Sequence, residues 1–293
     1  MRNPIMSLAA AAIAFPAVTL GQGTAPPRFM DSDGVRIRYL VQGEGPPVLL
    51  VHGLALGVEL GWSGPILDSL ASRYRVIALD LRGHGLSDKP RDAGAYGSRM
   101  VQDLVNLLDH LGIERAHVVG YSLGAAITLK LLTTHPDRVS SAVIGGIGWS
   151  PPGEPRPPVI AEWMTRLERA ARDSTSVFDA LRQPDWPEFP PAVVAMVNRN
   201  DPLVLASVIR ADDELRVPES ALRSNRIPTM SVVGSGDDLA RPRLEPMTRV
   251  MANLQTVVLE GADHMTATRH PLFLPTILAF LQSQPRSEPS GQS

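Results

Sequence analysis

The sequence predicts an α/β fold: a mostly parallel central sheet flanked by helices, with a helical cap inserted between two strands. Two observations support this fold class. Short runs of β-branched and apolar residues alternate with longer amphipathic stretches, which is typical of strands joined by crossover helices. Several short runs, such as residues 48–51, contain no polar residue, as expected for strands buried on both faces.

The predicted strands recur along most of the chain. They cover residues 35–41, 47–52, 75–80, 116–121, 139–145, 228–234 and 256–260. Between them, apolar residues recur at the spacing of one helix face, at Met100, Leu104, Leu107, Leu108 and Leu111. Residues 123–132 show the same spacing, so both stretches are predicted to be crossover helices.

The alternation stops between Ser150 and Asn225, where a proline-rich linker leads into helix-like segments. An insertion of this kind between two strands normally lies over the strand ends. We therefore predict a helical cap at 151–225, between the core segments 28–150 and 226–282. Four large apolar side chains of the cap are candidates for a substrate pocket or for the cap's own core: Trp163, Trp186, Phe189 and Met196.

The first residues have the pattern of a targeting segment. Arg2 precedes an apolar and small-residue run, 5–20, which is typical of a secretory signal peptide. The run is shorter than the roughly 20 residues of a membrane span. We therefore expect 1–27 to be a leader, the protein to be exported to the periplasm or secreted, and the mature protein not to insert stably in a membrane. The polar segment 283–293 is expected to be a flexible tail.

Composition excludes several classes of function. The chain has 28 basic and 30 acidic residues and no block of like charge, so nothing indicates a nucleic-acid partner. Cysteine is absent, which excludes disulfides, thiolate metal sites and cysteine nucleophiles. Several histidines lack partners at metal-ligand spacing, and no metal site is expected. They are His110, His117, His135 and His270.

A nucleophile motif provides the strongest functional signal. Residues 120–124 read Gly-Tyr-Ser-Leu-Gly and lie between the predicted strand 116–121 and the helix that begins at 123. A G-x-S-x-G motif in this strand-turn-helix context places its serine on a sharp turn, with the hydroxyl exposed at the sheet edge. The helix N-terminus adds free backbone N–H groups that favour an anion. Ser122 is the predicted nucleophile.

With this motif, the sequence resembles the α/β-hydrolase family over about 33–282. Further landmarks are the residues Val-His-Gly-Leu at 51–54 and Asp-Leu-Arg-Gly-His-Gly-Leu-Ser at 80–87. The resemblance implies that the backbone N–H groups of Leu54 and Leu123 form an oxyanion hole. It also implies that His52 shapes the first loop and that His84 is structural.

The base and the acid follow later in the chain. His264 lies in a loop after the last predicted strand, and Pro271 follows seven residues on, which is similar to the histidine loop of the family; His264 is the predicted base. The family's Gly-x-x-Asp pattern selects Asp237 as the orienting carboxylate, whereas the spacing to Pro242 favours Asp238. Asp263 is expected to cap local backbone.

A serine at this turn distinguishes the chain from the haloalkane dehalogenases and epoxide hydrolases, which use Asp there. An acyl-enzyme requires a hydroxyl nucleophile. We expect an esterase-like serine hydrolase that acts on a small-molecule ester or a related acyl substrate, with no cofactor. Alternatives with the same residues are a lactonase, a proline iminopeptidase, a C–C bond hydrolase and a perhydrolase. A catalytically silent ligand-binding protein is the alternative from another class.

Overall fold

The computed structural model describes residues 27–62, 64–184, 186 and 188–285. The predicted leader therefore lies outside the described residues except for Pro27, and so does the predicted tail beyond Pro285. The described residues include one eight-stranded sheet with helices on both faces.

The spatial order of the strands in the sheet follows their order in the sequence except that the third and fourth strands exchange places. The strands are β1 (Arg28–Ser32), β2 (Val35–Gln42), β3 (Pro47–Val51), β4 (Arg75–Leu79), β5 (Ala116–Tyr121), β6 (Val139–Gly145), β7 (Thr229–Gly234) and β8 (Leu254–Leu259). Their spatial order is β1-β2-β4-β3-β5-β6-β7-β8. β2 pairs antiparallel with β1 and β4, and all the other pairs are parallel. The predicted fold class is confirmed.

Eleven α-helices accompany the sheet in the described part of the chain. They are α1 (Val58–Gly61), α2 (Pro65–Ala71), α3 (Ser98–His110), α4 (Leu123–Thr134), α5 (Pro158–Asp173), α6 (Val177–Leu181), α7 (Pro191–Val197), α8 (Pro202–Arg210), α9 (Glu219–Ser224), α10 (Arg241–Val250) and α11 (Phe273–Gln282). The five helices α5 to α9 lie between β6 and β7, in the segment predicted to be a cap.

The apolar strands pack against both helix layers. In β3, Leu49 and Val51 face the helices α3 and α4, whereas Val48 and Leu50 face α2 and α11. All four side chains are fully buried. This alternation explains why the run contains no polar residue, since each face of a parallel strand meets a helix layer.

The edge strand β1 was not among the predicted strands. Its sequence, Arg-Phe-Met-Asp-Ser, is mostly polar and buries only Met30 and Ser32. Ser32 Oγ donates a 2.6 Å hydrogen bond to Asp103, which also forms a bidentate pair with the buried Arg82. A buried polar contact of this kind gives no hydrophobic periodicity, so the sequence pattern did not reveal it.

No single helix among the described residues is long and apolar enough to cross a bilayer. Segments 191–197 and 202–215 satisfy the length and composition criteria only together, and they are bent by 68°.

Candidate active site

Ser122 occupies a strained turn between β5 and α4. Its backbone angles are φ 54° and ψ −120°, a conformation that non-glycine residues rarely adopt. The flanking glycines are required by close backbone approach. A Cβ on Gly120 would lie 2.3 Å from the Gly124 oxygen, and one on Gly124 would lie 2.0 Å from the Val51 oxygen. The turn thus presents Ser122 at the carboxyl edge of the sheet.

Three strand ends bring Ser122, His264 and Asp237 together. Ser122 Oγ lies 3.0 Å from His264 Nε2, and His264 Nδ1 lies 3.0 Å from Asp237 Oδ2. The other carboxylate oxygen of Asp237 accepts the backbone N–H groups of Leu239 at 3.1 Å and Ala240 at 3.0 Å. Since a carboxylate can only accept, Nδ1 carries the imidazole proton and Nε2 is left to accept from the serine hydroxyl.

The neighbouring acids have other surroundings. Asp238 is exposed, whereas Asp237 is fully buried. Asp263 caps its own loop by accepting the backbone N–H groups of Met265 at 2.9 Å and Thr266 at 2.8 Å. The structure therefore places Asp237, and neither adjacent acid, against His264.

Two backbone N–H groups beside Ser122 have no acceptor within the described chain. Leu54 lies in the loop after β3, and Leu123 is the first residue of α4. The first N–H groups of a helix have no intrahelical partner, and both residues line the cavity at Ser122. These two donors are suited to an oxygen that gains negative charge.

The Leu54 loop is held from two sides. His52 Nδ1 donates to the Gly53 oxygen at 2.8 Å, and His52 Nε2 accepts the Leu81 N–H at 3.0 Å. Ala55 has a φ of 59°, which is strained for alanine, and its oxygen accepts from Asn200 Nδ2 at 2.9 Å. Asn200 was not predicted, because a single asparagine in the cap carries no sequence signal for this contact.

Tyr121 is a second residue that the sequence did not single out. Its hydroxyl donates to the His264 backbone oxygen at 2.7 Å, and the centroids of the Tyr121 and His264 rings lie 5.5 Å apart. Burial raises the pKa of Tyr121 well above its usual value, so the hydroxyl remains a neutral donor. Tyr121 therefore positions the histidine loop from within the nucleophile motif.

Ser122 and His264 both line a cavity with two adjoining lobes. The first, of about 150 Å³, is the aromatic lobe, lined by Trp62, Trp163, Phe178, Trp186 and Phe189. The second, of about 210 Å³, is the arginine lobe, lined by Leu123, Trp149, Val208, Leu215, Arg216 and Arg243 among others. Leu54 and Trp163 line both lobes and lie at their boundary.

Met196 is the one pocket candidate that the structure contradicts. Trp163, Trp186 and Phe189 line the aromatic lobe, together with Val193 and Val197 of α7. Met196 lies about 100° around the helix from Val197 and lines a separate depression instead. The three aromatic residues also pack in an apolar cluster formed mainly by α5 to α8, so they belong both to the pocket wall and to that cluster.

The two buried histidines His52 and His84 are expected to make the protein less stable at acidic pH. Burial lowers the pKa of His52 to about 4 and that of His84 to about 3. In the unfolded chain the value is about 6.5, so below that pH the unfolded state binds more protons. The free energy of unfolding then falls as the pH falls, by up to about 1.4 kcal/mol per pH unit for each histidine.

We expect His84→Asn to remove one of these two contributions. The asparagine amide can replace Nδ1, which lies 3.1 Å from the Arg82 oxygen, but it does not titrate. Urea unfolding at several pH values below about 6.5 should therefore show a slope against pH that is smaller by about 1.4 kcal/mol per unit. An unchanged slope would contradict the prediction.

No group of three or more histidine or acidic residues suited to a metal occurs in the described ranges.

Comparison with known proteins agrees with the geometry of the site. The model of the α/β-hydrolase fold matches residues 46–184, which include the Leu54 loop and the Ser122 turn.

The chain belongs to the α/β-hydrolase fold family. It is 41% identical over 124 residues to the dihydrolipoyllysine-residue acetyltransferase component of the acetoin cleaving system of Cupriavidus necator, covering 42% of this chain and 32% of that protein. It is 34% identical over 158 residues to a 2-hydroxymuconate semialdehyde hydrolase of Pseudomonas putida, covering 51% of this chain and 56% of that one. The chain thus spans about a third to just over half of the length of these relatives.

The solved structure of a hydrolase from Pseudomonas aeruginosa resembles this α/β-hydrolase chain over almost its whole length. The TM-score is 0.72 at 25% identity, and the match covers 88% of this chain and 98% of that one. The family membership and fold implied by the sequence motifs are therefore confirmed.

Proposed function

We propose that the chain is a serine hydrolase that cleaves small or medium carboxylic esters through an acyl-enzyme. One observation carries the proposal. Asp237, His264 and Ser122 form a continuous chain of two 3.0 Å hydrogen bonds that ends at the serine hydroxyl. In this order, a buried carboxylate orients an imidazole, and the imidazole can accept the proton of a nucleophile.

In the proposed acylation step, Ser122 Oγ attacks the ester carbonyl carbon as its proton moves to His264 Nε2. The carbonyl π electrons move to the oxygen, and the Leu54 and Leu123 N–H groups stabilise the resulting oxyanion. Asp237 remains ionised and stabilises the imidazolium. When the carbonyl re-forms, the bond to the alcohol oxygen breaks, and His264 gives its proton to the departing alcohol.

Deacylation repeats the same steps with water. His264 Nε2 accepts a proton from a water molecule as that oxygen attacks the acyl carbon, and the oxyanion occupies the same pair of N–H groups. Collapse then breaks the bond to Ser122 Oγ, which recovers a proton from His264. The products are the carboxylic acid and the regenerated serine, and this sequence of steps requires no cofactor.

The cavity supports an apolar acyl substrate better than a peptide with a free N-terminus. A peptidase that recognises a free amine needs an acidic partner beside the serine. No Asp or Glu of the described residues lines the aromatic lobe. In the arginine lobe, Asp212 already accepts from Arg156 Nε at 2.7 Å. The proline iminopeptidase is therefore the least supported alternative.

A C–C bond hydrolase is the second candidate. Its support is the 34% identity to a 2-hydroxymuconate semialdehyde hydrolase, and it would use the same Ser122 and His264.

A series of p-nitrophenyl esters from acetate to decanoate tests the proposal. The full chain is expected to hydrolyse the short and medium members, because the two lobes measure only about 150 and 210 Å³. Ser122→Ala is the control and should remove both turnover and labelling by a fluorophosphonate. If wild-type protein showed neither turnover nor labelling of Ser122, the silent ligand-binding alternative would be favoured instead.

A further inference from the structure

The arginine lobe contains charged groups that the proposed ester chemistry does not use. Three charged side chains line it: Asp212, Arg216 and Arg243. Two of them are already bound to neighbours. Asp212 accepts from Arg156, and Arg216 Nε lies 2.8 Å from Asp213.

Arg243 has weaker partners and an unused donor. Its Nη1 donates to the Leu239 oxygen and its Nη2 to Glu154 Oε1, both at 3.3 Å. Hydrogen bonds between a guanidinium and a carboxylate normally measure about 2.7–2.9 Å. Arg243 Nε is buried and has no acceptor among the described residues. A charged group with weak partners and a buried donor without an acceptor is incompletely satisfied by the protein alone.

The position of Arg243 is fixed by its backbone. The Arg243 oxygen accepts the Trp149 N–H at 3.1 Å, and a Cβ on Gly148 would lie 2.4 Å from the Arg243 carbonyl carbon. The loop after β6 is thus packed directly on the start of α10. The guanidinium is therefore attached to a rigid part of the lobe wall, as a recognition group requires.

A second unpartnered donor lines the same lobe. Trp163 Nε1 is buried without an acceptor in the described part of the chain, and Trp163 lies at the boundary between the two lobes together with Ser122. Arg243 Nε and Trp163 Nε1 are thus two buried N–H groups without an acceptor among the described residues, on residues that line the lobe. The Arg243 side chain as a whole is 21% exposed, and a substrate portion that carries anionic oxygen acceptors complements its charge.

We propose that the arginine lobe binds a carboxylate of the substrate and that Arg243 is the residue that recognises it. The substrate would then be an ester that carries a free carboxylate, on either the acyl or the alcohol portion, with its apolar remainder in the aromatic lobe. Arg243 would touch the substrate at a distance from the reacting bond and select it by charge. This inference rests on the proposed serine hydrolase function.

An arginine of the aromatic lobe is a competing candidate. Arg269 lines the aromatic lobe, but it is exposed, so water screens its charge more strongly. The experiment therefore treats Arg269 as the alternative binding residue.

Two matched substrate pairs test the proposal with the full chain. Monomethyl adipate and dimethyl adipate place the carboxylate on the acyl side. 3-Acetoxypropanoate and its methyl ester place it on the alcohol side. The measured quantity is the ratio of kcat/KM for the carboxylate to that for the neutral member of each pair. We expect the wild-type ratio to exceed about 10 in one pair, since a hydrogen bond to a charged group contributes about 10- to 100-fold.

Arg243→Met is expected to lower that ratio by about 10- to 100-fold, and Arg243→Lys by less, because lysine keeps the charge without the guanidinium fork. Arg249→Met is the matched control: it removes the same charge from the same helix, but Arg249 is 73% exposed and pairs with Glu245. It should leave the ratio unchanged.

Three outcomes would overturn the inference. The first is a ratio of kcat/KM, carboxylate over neutral substrate, at or below one for wild-type protein in both pairs. The second is that Arg243→Met leaves this ratio unchanged. The third is that the ratio falls in Arg269→Met and not in Arg243→Met. Each would leave the proposed function standing as long as p-nitrophenyl acetate is hydrolysed in a Ser122-dependent way. If the wild-type protein did not hydrolyse p-nitrophenyl acetate, both the proposed function and this inference would be overturned.

Discussion

Replacement of His264 by alanine is expected to lower kcat for ester hydrolysis by about 10⁴-fold or more, with no change in fold. The His264 imidazole lies within hydrogen-bond reach of Ser122 Oγ, and imidazole is the side chain best suited to general-base catalysis near neutral pH. Ser122→Ala should cause a loss of similar size. Initial rates on the best p-nitrophenyl ester, with far-UV circular dichroism as the check on folding, measure both effects.

His270→Ala is the matched control for the histidine. His270 lies six residues further along and is half-buried, and its Nδ1 accepts the Leu272 N–H at 3.2 Å. It should change kcat by no more than about threefold. The double variant Ser122→Ala/His264→Ala should lose little more than either single one, because residues that act as a unit are not additive. Retained esterase activity in the double variant would disprove the assignment.

Asp237→Asn is expected to lower kcat by about 10⁴-fold. The asparagine oxygen can keep the two bonds from the Leu239 and Ala240 N–H groups, which Asp237 Oδ1 accepts. Its amide nitrogen then faces His264 Nδ1. A donor at that position favours the tautomer with the proton on Nε2, and Nε2 can no longer accept the proton of Ser122.

Asp238→Asn provides the comparison, because Asp238 is exposed one residue away. We expect it to retain kcat within about threefold. Steady-state kinetics on one ester and thermal unfolding of both variants separate a catalytic loss from a loss of stability. A larger fall in kcat for Asp238→Asn than for Asp237→Asn would show that the assignment of the acid is wrong.

Local motifs in the sequence predicted much of the candidate site. Gly120 is required by its close approach to the Gly124 oxygen within one strand-turn-helix unit, so this part of the motif follows from local geometry, whereas Gly124 is required by the close approach of Val51 in β3. The sequence left Asp237 and Asp238 as alternatives, because the direction of a side chain in a loop depends on the turn that follows β7. The hydrogen bonds of Asp237 to Leu239 and Ala240 define that turn.

Residues that act across the fold were not predictable in the same way. Asn200 reaches the Leu54 loop across 145 positions of the chain, and Tyr121 reaches His264 across 143. Met196 was misassigned because an apolar residue in a short helix shows no preference for one neighbour until the helix is packed. In each case the deciding contact joins elements that are distant in the sequence.

The sequence by itself determined the fold class, the family and the residue types at the end of each strand. These features depend on local propensity, on hydrophobic periodicity and on backbone geometry within short segments. Only the tertiary structure decided which acid faces His264, which cap residues line the two lobes, and that Arg243 lies in the wall of the cavity beside Ser122. Such decisions depend on the directions of side chains from separate strands and helices, and those directions are fixed only when the sheet, the helices and the cap pack together.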